Sequence, residues 1–343
     1  MLQYEQFKEY HKLHEYVLSC SKPSMDNYVF IDEVQMCEGF EKAVVSLHAM
    51  RKFDIYLTGS NAFLLSSDLA TLFTGRTYEI EALPFSFAEF CKYFEPSDIR
   101  KALDEYLLCG GMPGSYVYKT ERGRCSYLNR EVLNALIVRD LVAKRAIKDQ
   151  GLLDGLLDFM MDNIGNLTSM RKIAQSISKS SAPANHKTLS AYMEYLCNVF
   201  AFYRVGRYDV QGKRYLATED KYYLADHAFR YARLGKKNMN TGRMIENIVA
   251  IELLRRKYEL YAGVLYRKEI DFVAQKQSQK LYIQVADSIS DEKTFQREVA
   301  PLLEIKDGYP KILIARTYQP YYTYEGIYVF DLADWLLGKV SFV

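Results

Sequence analysis

Two adjacent carboxylates, Asp32 and Glu33, follow the apolar run of residues 28–31. A continuous apolar run of this length is typical of a buried parallel strand. Ligands bind beyond the carboxyl ends of such strands. There an Asp can hold Mg²⁺ and a Glu can orient an attacking water, the two roles that nucleoside triphosphate hydrolysis requires. The alternative is a buried strand that ends in a solvated acidic turn.

Further polar residues follow the next apolar run, residues 54–58. Ser60 and Asn61 stand at the tip of this second strand, where a polar side chain can contact a terminal phosphate or the attacking water. Arg76 precedes a third predicted strand, and an arginine there can stabilise transition-state charge in a neighbouring subunit. The alternative for Arg76 is a cation favoured by the dipole of the preceding helix.

A second candidate set lies near the carboxyl end: Glu246 on a predicted helix, Asp271 on a predicted strand and Gln284 on the next strand. This order resembles the restriction-endonuclease-like fold, whose motif is an acid on a helix, Asp on one strand and Glu-x-Lys on the next. Such sites hold Mg²⁺ with carboxylates and use the lysine to help activate water. Gln284 and Ala286 replace the expected Glu and Lys, so we expect a degenerate site without nuclease activity. An active nuclease is one alternative, and a strand-end Asp271 that simply pairs with Arg267 or Lys268 is the other.

The elements that position the first set alternate along the chain. Helices are predicted at residues 4–19, 40–51 and 62–74, and strands at 28–31, 54–58 and 77–82. This alternation predicts an α/β fold with a parallel sheet. Further helices are predicted near 86–93, 98–108 and 126–147, and the run Gly-Gly-Met-Pro-Gly that begins at Gly110 is a firm turn signal.

Three helices and a β-hairpin are predicted next, at 152–163, 168–178 and 186–198 and then at 200–208 and 214–224. This is the layout of a winged helix, in which Lys187 and Arg207 are possible DNA contacts. In the alternative, the winged helix serves packing or partner contact and the helical positions Leu189, Tyr192, Met193 and Leu196 are core. A helix at 241–261, strands at 263–266, 270–275, 280–286 and 311–316 and a helix at 291–304 complete a small mixed α/β unit.

Five motifs appear in a fixed order, namely I-D-E-V-Q, L-T-G-S-N-A-F-L-L-S, T-G-R, L-P-F-S-F-A-E-F and G-G-M-P-G. They resemble those of prokaryotic AAA-superfamily ATPases with a fused carboxy-terminal domain of unknown function. The resemblance implies that Asp32 and Glu33 are the Walker B acids, Asn61 or Ser60 is sensor 1, and Arg76 is a candidate arginine finger. It also implies ATP and Mg²⁺ as cofactors, and a homo-oligomer or a full-length paralogue as partner.

The 343 residues contain no G-x-x-x-x-G-K-[S/T] loop, whose backbone amides would cradle phosphates. The nearest string, residues 206–214, has one residue too many between its glycines and ends in Arg. We therefore expect an amino-terminally truncated ATPase that does not bind ATP by itself. An upstream start, a decayed gene and a partner that supplies the missing strand are the open explanations.

The expected fold class is α/β, with a partial AAA-type P-loop parallel sheet followed by a winged helix and a restriction-endonuclease-like domain. The expected domains are residues 1–90 (partial AAA core), 91–150 (helical lid or linker), 151–235 (winged helix) and 236–343 (nuclease-like). The net charge of +2 gives no global field for a polyanion, so DNA is only a possible partner. The six cysteines form no C-x-x-C pair and are expected to be reduced thiols of a cytoplasmic protein. Because the chain has no apolar run of about 18 residues, no membrane partner is expected.

Overall fold

The computed structural model describes residues 6–59, 75, 77–135, 147, 149–177, 185–236 and 240–340. The chain divides into two compact units, residues 1–81 with 198–200 and residues 82–197 with 201–343. The helix predicted at 62–74 lies outside the described residues. The three predicted domain boundaries, at 90/91, 150/151 and 235/236, all fall inside the second unit.

The first unit is a strand–helix–strand arrangement preceded by a helix. Its elements are α1 (Tyr10–Cys20), β1 (Asn27–Ile31), α2 (Phe40–Ala49) and β2 (Phe53–Leu57). Among the described residues, β1 and β2 form a two-stranded parallel sheet in which Ile31 is paired with Leu57. The parallel pairing confirms the α/β prediction, because α2 is the crossover that parallel strands require.

Among the described residues, only one face of this sheet is covered. Val29, Ile31 and Ile55 pack against the buried cluster of α1 and α2, whereas Phe30 and Tyr56 on the other face are 74% and 43% exposed. The rings of Phe30 and Tyr56 stack with their centroids 4.9 Å apart. The expectation of strands buried on both faces is therefore wrong for the described residues, although the strand positions are right.

The third strand predicted at 77–82 is absent from the described structure, where residues 77–83 form neither helix nor strand. Tyr78 is 90% exposed and Ile80 is 76% exposed. A strand needs the backbone of a neighbour to pair with, and the described residues offer this segment none.

The second unit combines a series of helices with a large sheet. Its helices are α3 (Phe87–Phe94), α4 (Ile99–Cys109), α5 (Glu121–Ser126), α6 (Gln150–Asp162), α7 (Met170–Ile177), α8 (His186–Asn198), α9 (Ala228–Leu234), α10 (Thr241–Arg255), α11 (Glu292–Glu304) and α12 (Leu332–Leu336). Its strands are β3 (Phe202–Asp209), β4 (Arg214–Leu224), β5 (Glu259–Leu265), β6 (Lys268–Lys276), β7 (Gln279–Ala286), β8 (Lys311–Ala315), β9 (Tyr322–Tyr324) and β10 (Ile327–Asp331). Most of these match the predicted segments within a few residues.

Eight strands of the described residues form one sheet in the order β4-β3-β5-β6-β7-β8-β10-β9. The hairpin β3–β4 joins it because β3 pairs in parallel with β5, with Gly206 opposite Tyr261. The predicted helix 241–261 was too long: it ends at Arg255, Lys257 takes a positive φ of 63°, and β5 begins at Glu259. The helices α5 and α9 and the elements after residue 316 were not predicted.

The Gly110-Gly111 turn is explained by close approach of other groups. A Cβ on Gly110, which has a φ of +71°, would lie 2.1 Å from an Asp226 carboxylate oxygen, and one on Gly111 would lie 2.2 Å from the Phe85 carbonyl oxygen. The Gly111 amide donates to the Asp226 carboxylate at 2.8 Å. The predicted turn is thus also a packing site that excludes any side chain.

Candidate functional site

The acidic pair of the first unit lies beside a hydroxyl at the same edge of the sheet. The β1–β2 ladder continues past both strands, since the Thr58 amide donates to the Ile31 carbonyl at 2.9 Å. The Thr58 hydroxyl accepts from the Glu33 amide at 3.1 Å and donates to the Asp32 carboxylate. The carboxyl ends of the two strands therefore bring Asp32, Glu33 and Thr58 together, as parallel pairing requires.

Glu33 stands at a sharp change of chain direction. Its φ of 50° is left-handed, and a 3₁₀ turn, Val34–Met36, follows directly. The Gln35 side-chain amide donates to the Glu33 carboxylate, whereas Asp32 is exposed. The two acids thus have different surroundings: Glu33 is held from the protein side, and Asp32 faces solvent with the Thr58 hydroxyl.

Three predicted residues of this site, Ser60, Asn61 and Arg76, lie outside the described residues. Their roles as sensor and arginine finger stay predictions. Thr58 was part of the motif but had not been singled out. Its signal in the sequence is its position as the first polar residue after an apolar strand, where its hydroxyl must reach the end of the neighbouring strand.

The three nuclease-like residues of the second unit do come together. Glu246 lies on α10, Asp271 on β6 and Gln284 on β7. The Asp271 carboxylate accepts from the Val285 amide at 2.8 Å, and the Gln284 side-chain oxygen accepts from the Asp271 amide at 3.4 Å. Adjacent antiparallel strands therefore position the Asp and the amide as a pair.

A lysine that the sequence did not single out lies at the centre of this cluster. The ammonium of Lys221, on β4, is 2.8 Å from Glu246 Oε1, 2.6 Å from Glu269 Oε1 and 3.8 Å from Asp271 Oδ1. The side chain of Lys221 is only 1% exposed, and that of Glu269 is 41% exposed. One buried cation is thus shared by three carboxylates.

The Glu246 carboxylate is held from two further directions. The Tyr223 hydroxyl donates to Glu246 Oε1 at 2.7 Å, and Gly165 packs so closely that a Cβ there would lie 3.1 Å from both carboxylate oxygens. Asn247, the next residue on α10, bonds both backbone groups of Leu224, at 2.7 and 2.9 Å. The end of β4 is therefore fixed to the helix that carries Glu246.

Gln284 does not supply the negative charge that a metal site of this type needs. Its side-chain nitrogen donates to Glu298 Oε2 at 3.1 Å, and the other oxygen of Glu298 accepts from Arg297 at 2.7 Å. The alternative pairing of Asp271 with a preceding basic residue is not seen for Lys268, which pairs with Glu304 at 2.5 Å. Lys221 is the cationic partner of Asp271 instead.

Burial and charge act together on the titration of this cluster. Burial disfavours the ammonium of Lys221, but its pKa is raised above the ordinary value because Glu246, Asp271 and Glu269 attract it more strongly. Burial raises the pKa of Asp271 well above the ordinary value, and the charge of Glu246 adds to this. Burial and the Glu246 carboxylate also raise the pKa of Tyr223. Perturbed pKa values of this kind occur at functional sites and also in structural ion-pair networks.

The lysine of the Glu-x-Lys motif is expected two residues after Gln284, where Ala286 stands. The motif therefore does not indicate Lys221. The available signal was a lone lysine within the strand-like run Lys221-Tyr222-Tyr223-Leu224. A charged residue is almost never fully buried without a partner. The pattern alone, however, gives no position for the carboxylates that receive this one.

The proposed DNA contacts have different environments. Lys187 is exposed at the start of α8, whereas the side chain of Arg207 is only 19% exposed and its Nη1 lies 3.9 Å from Glu219 Oε2. The four helical positions expected to be core in the packing alternative are buried, namely Leu189, Tyr192, Met193 and Leu196. An acidic neighbour thus offsets the positive charge of Arg207.

Within the described residues, no group of three or more His, Cys, Asp or Glu side chains is arranged to hold a metal ion.

No helix in the described part of the chain combines the length and apolar character needed to cross a membrane.

Two sequence families match successive parts of the chain. Residues 2–91 match the AAA domain, and residues 100–240 match a domain of unknown function (DUF8612). The first match contains the Asp32–Thr58 site. The second contains Lys221 but ends before α10, so it includes none of the carboxylates that bind this lysine.

Two relatives match most of the chain. An uncharacterized protein of Haemophilus influenzae is 40% identical over 314 residues, which cover 90% of this chain and 77% of that protein. The uncharacterized protein MJ1544 of Methanocaldococcus jannaschii is 27% identical over 286 residues, which cover 79% of this chain and 63% of the relative. Among solved structures, the Walker-type ATPase PABY2304 of Pyrococcus abyssi aligns with a TM-score of 0.38 and 15% identity, covering 66% of this chain and 67% of that one.

Proposed function

We propose that this chain, whose residues 2–91 match the AAA domain, is related to the AAA-type ATPases. In this proposal its first unit retains the acidic residues of the magnesium site but does not bind ATP alone. The observation that supports the proposal is that Asp32, Glu33 and Thr58 lie together at one edge of the sheet and are joined by hydrogen bonds. A phosphate-binding loop is required to cradle the triphosphate, and the 343 residues contain none.

The residues present fit a magnesium ion in part. The Asp32 carboxylate and the Thr58 hydroxyl are oxygen donors, which Mg²⁺ prefers, and Mg²⁺ usually keeps several waters and binds substrate phosphates as well. When bound, the ion would neutralise charge on the phosphates. Glu33, whose carboxylate accepts a hydrogen bond from the Gln35 side chain, is the residue that would accept a proton from the attacking water in this proposal.

The test is a titration of the purified chain with a fluorescent ATP analogue in the presence of Mg²⁺. We expect no saturable binding below the millimolar range, because the site supplies no backbone cradle or lysine for the phosphates. D32N is the matched variant and should behave like the parent chain. Micromolar binding by the parent chain, lost in D32N, would overturn the proposal.

Activity in an assembly follows from the same proposal. A homo-oligomer or a full-length paralogue is the expected partner, and Arg76 is the candidate that reaches the nucleotide of a neighbouring subunit. Co-expression with a relative that contains the phosphate-binding loop allows a mixed ATPase rate to be measured. We expect R76A to lower that rate at least tenfold, and an unchanged rate removes the arginine-finger role.

For the second unit we propose a nuclease-like arrangement without nuclease activity. Glu246, Asp271 and Gln284 lie on the helix and the two strands that the resemblance implies, which supports the fold comparison. The amide of Gln284 in place of a carboxylate, and Ala286 in place of a lysine, argue against metal-assisted hydrolysis. Mg²⁺-dependent cleavage of plasmid DNA by the purified chain, lost in D271A, would contradict this.

A DNA- or protein-binding scaffold is the second candidate function. The three helices α6, α7 and α8 precede the hairpin β3–β4, and Thr168 bridges Asp220 on that hairpin, an arrangement that supports a winged helix. If it binds DNA, retention should fall with salt and should weaken in K187A/R207A. Unchanged retention in this double variant would remove the DNA-binding form and leave protein contact.

A further inference from the structure

The ammonium of Lys221 lies among the carboxylates of the nuclease-like site. We propose that its ammonium is a permanent cation of the nuclease-like site and prevents a divalent metal from binding between Glu246, Glu269 and Asp271. This inference rests on the proposed nuclease-like arrangement and adds the residue that determines which cation the site accepts.

The distances between the Lys221 ammonium and the carboxylates support this proposal. The ammonium lies within 2.6 and 2.8 Å of two of the carboxylates and within 3.8 Å of the third. The two short distances are hydrogen-bond lengths for a charged donor. A Mg²⁺ ion would need the same oxygens at about 2.0–2.1 Å, so the metal and the ammonium would occupy the same space. Mutual repulsion of two cations at that distance adds to the steric conflict.

The strand that carries the lysine is held in place beside its acceptors. Its side chain is 1% exposed, and the neighbouring Tyr223 donates to the Glu246 carboxylate. Asn247 bonds both backbone groups of Leu224. The strand that carries the lysine is therefore anchored to the helix that carries one of its acceptors, which makes the cation a fixed part of the fold.

Charge gives the second argument. Three carboxyl groups surround a single ammonium, and Glu269, 41% exposed, opens the cluster to solvent on one side. In the parent chain these carboxylates are arranged around the ammonium and not around a metal ion. Carboxylate oxygens with a route to solvent are the donors that a hard divalent cation prefers once the resident positive charge is removed. Neutralising Lys221 should therefore create a metal site that the parent chain lacks.

The test compares Mn²⁺ binding by the parent chain, K221M and K221M/D271N, followed by the electron paramagnetic resonance signal of free Mn²⁺. We expect K221M to bind one Mn²⁺ at least tenfold more tightly than the parent chain, and the gain to disappear in K221M/D271N. K268M is the matched control, because it removes an exposed lysine of β6 that pairs with Glu304. It should gain nothing.

Folding is followed in the same samples by the fluorescence of Trp335, which is buried in the second unit. If K221M is unfolded alone, Mn²⁺ should restore the folded signal, since the proposal holds that the metal replaces the ammonium. K221R, which keeps the charge, should fold without gaining Mn²⁺ binding.

Two results would overturn the inference: a K221M protein that neither binds nor is restored by Mn²⁺, or a parent chain that already binds Mn²⁺ through Asp271. Cleavage of DNA by the parent chain is a separate outcome. It would contradict the proposed lack of nuclease activity, whereas failure of K221M to bind Mn²⁺ would leave that proposal intact.

Discussion

The acids at the end of β1 and the acids around Lys221 are of the same residue types, but the chain holds them in opposite ways. Asp32 faces solvent beside one hydroxyl, whereas Asp271 is buried and shares a buried ammonium. An exposed carboxylate keeps its hydration and remains open to an incoming cation. A buried carboxylate needs a partner inside the protein, because leaving a charge unpaired there is costly.

The largest test of this contrast is K221M, because it leaves buried carboxylates without their cation. Removing one partner of a buried ion pair costs about 3–5 kcal/mol, so the free energy of unfolding of the second unit should fall by that amount. Trp335 is the only tryptophan in the sequence, so its fluorescence in a urea titration monitors this unit. K268M should cost only about 0–1 kcal/mol, the usual range for an exposed pair. Equal losses in both variants would contradict the contrast.

A smaller effect is expected from Y223F, which removes the hydroxyl that donates to Glu246. A hydrogen bond to a charged group contributes about 1.5–3 kcal/mol, and the urea midpoint should move accordingly. Y261F is the matched control, because Tyr261 donates to Glu259 at 3.2 Å in an exposed contact. If Y261F is as destabilised as Y223F, burial is not what makes the cluster costly to disturb.

His227 extends the contrast to pH. Burial lowers its pKa below the ordinary value of 6.5, and its Nε2 lies 2.8 Å from the Tyr106 carbonyl oxygen. At pH values between the two pKa values, His227 is therefore protonated in the unfolded chain and neutral in the folded unit. The neutral imidazole of His227 makes its full contribution to the free energy of unfolding at pH values above its pKa in the unfolded chain. This contribution is lost as the pH falls towards the lower pKa of the folded state. The free energy of unfolding should change by at most about 1.4 kcal/mol per pH unit.

Unfolding of the second unit, followed by Trp335 at pH values from about 7.5 down to 5, measures this slope. H227Q should flatten it, and H186Q, at the less buried start of α8, should not. A slope that is unchanged in H227Q would show that another group causes it.

The smallest effect is expected at the exposed site. T58V removes the acceptor of the Glu33 amide and the donor to Asp32, a loss of about 1 kcal/mol. Hydrogen exchange of the peptide around Glu33 should accelerate roughly fivefold, the factor that corresponds to this energy. T77V, outside any described helix or strand of the same unit, should leave that exchange unchanged. An effect several times larger would mean that the exposed acids are as strongly constrained as the buried ones.

The two regions also differ in how far the sequence revealed them. Asp32 and Glu33 were found because they are contiguous and follow an apolar strand, so a local pattern contains the site. Lys221 lies 25 residues before Glu246 and 50 before Asp271, a separation that only the sheet order β4-β3-β5-β6 closes. Strand positions follow from local composition, but the order of strands in a sheet depends on long-range pairing.

Two incorrect secondary-structure predictions have the same cause, which is that the pairing of strands depends on distant residues. Thr77–Ala82 has a strand-like composition but no described neighbour to pair with. The helix predicted to reach residue 261 stops early because residues 259–265 pair with both β3 and β6. In both places local propensity was overridden by the presence or absence of a partner strand. The Gly110-Gly111 turn was predicted correctly, but the groups that leave no room for a Cβ, the Asp226 carboxylate at Gly110 and the Phe85 carbonyl at Gly111, could not be identified from the sequence.

The parallel pairing of β3 with β5 has a practical consequence for dissecting this protein. A fragment that starts after residue 240, where the match to the domain of unknown function ends, would expose the long edge of β5 to self-association. It would also carry Glu246, Glu269 and Asp271 without the ammonium that compensates them. A carboxy-terminal fragment should therefore begin no later than Phe202, so that it contains the hairpin β3–β4, which pairs with the edge of β5.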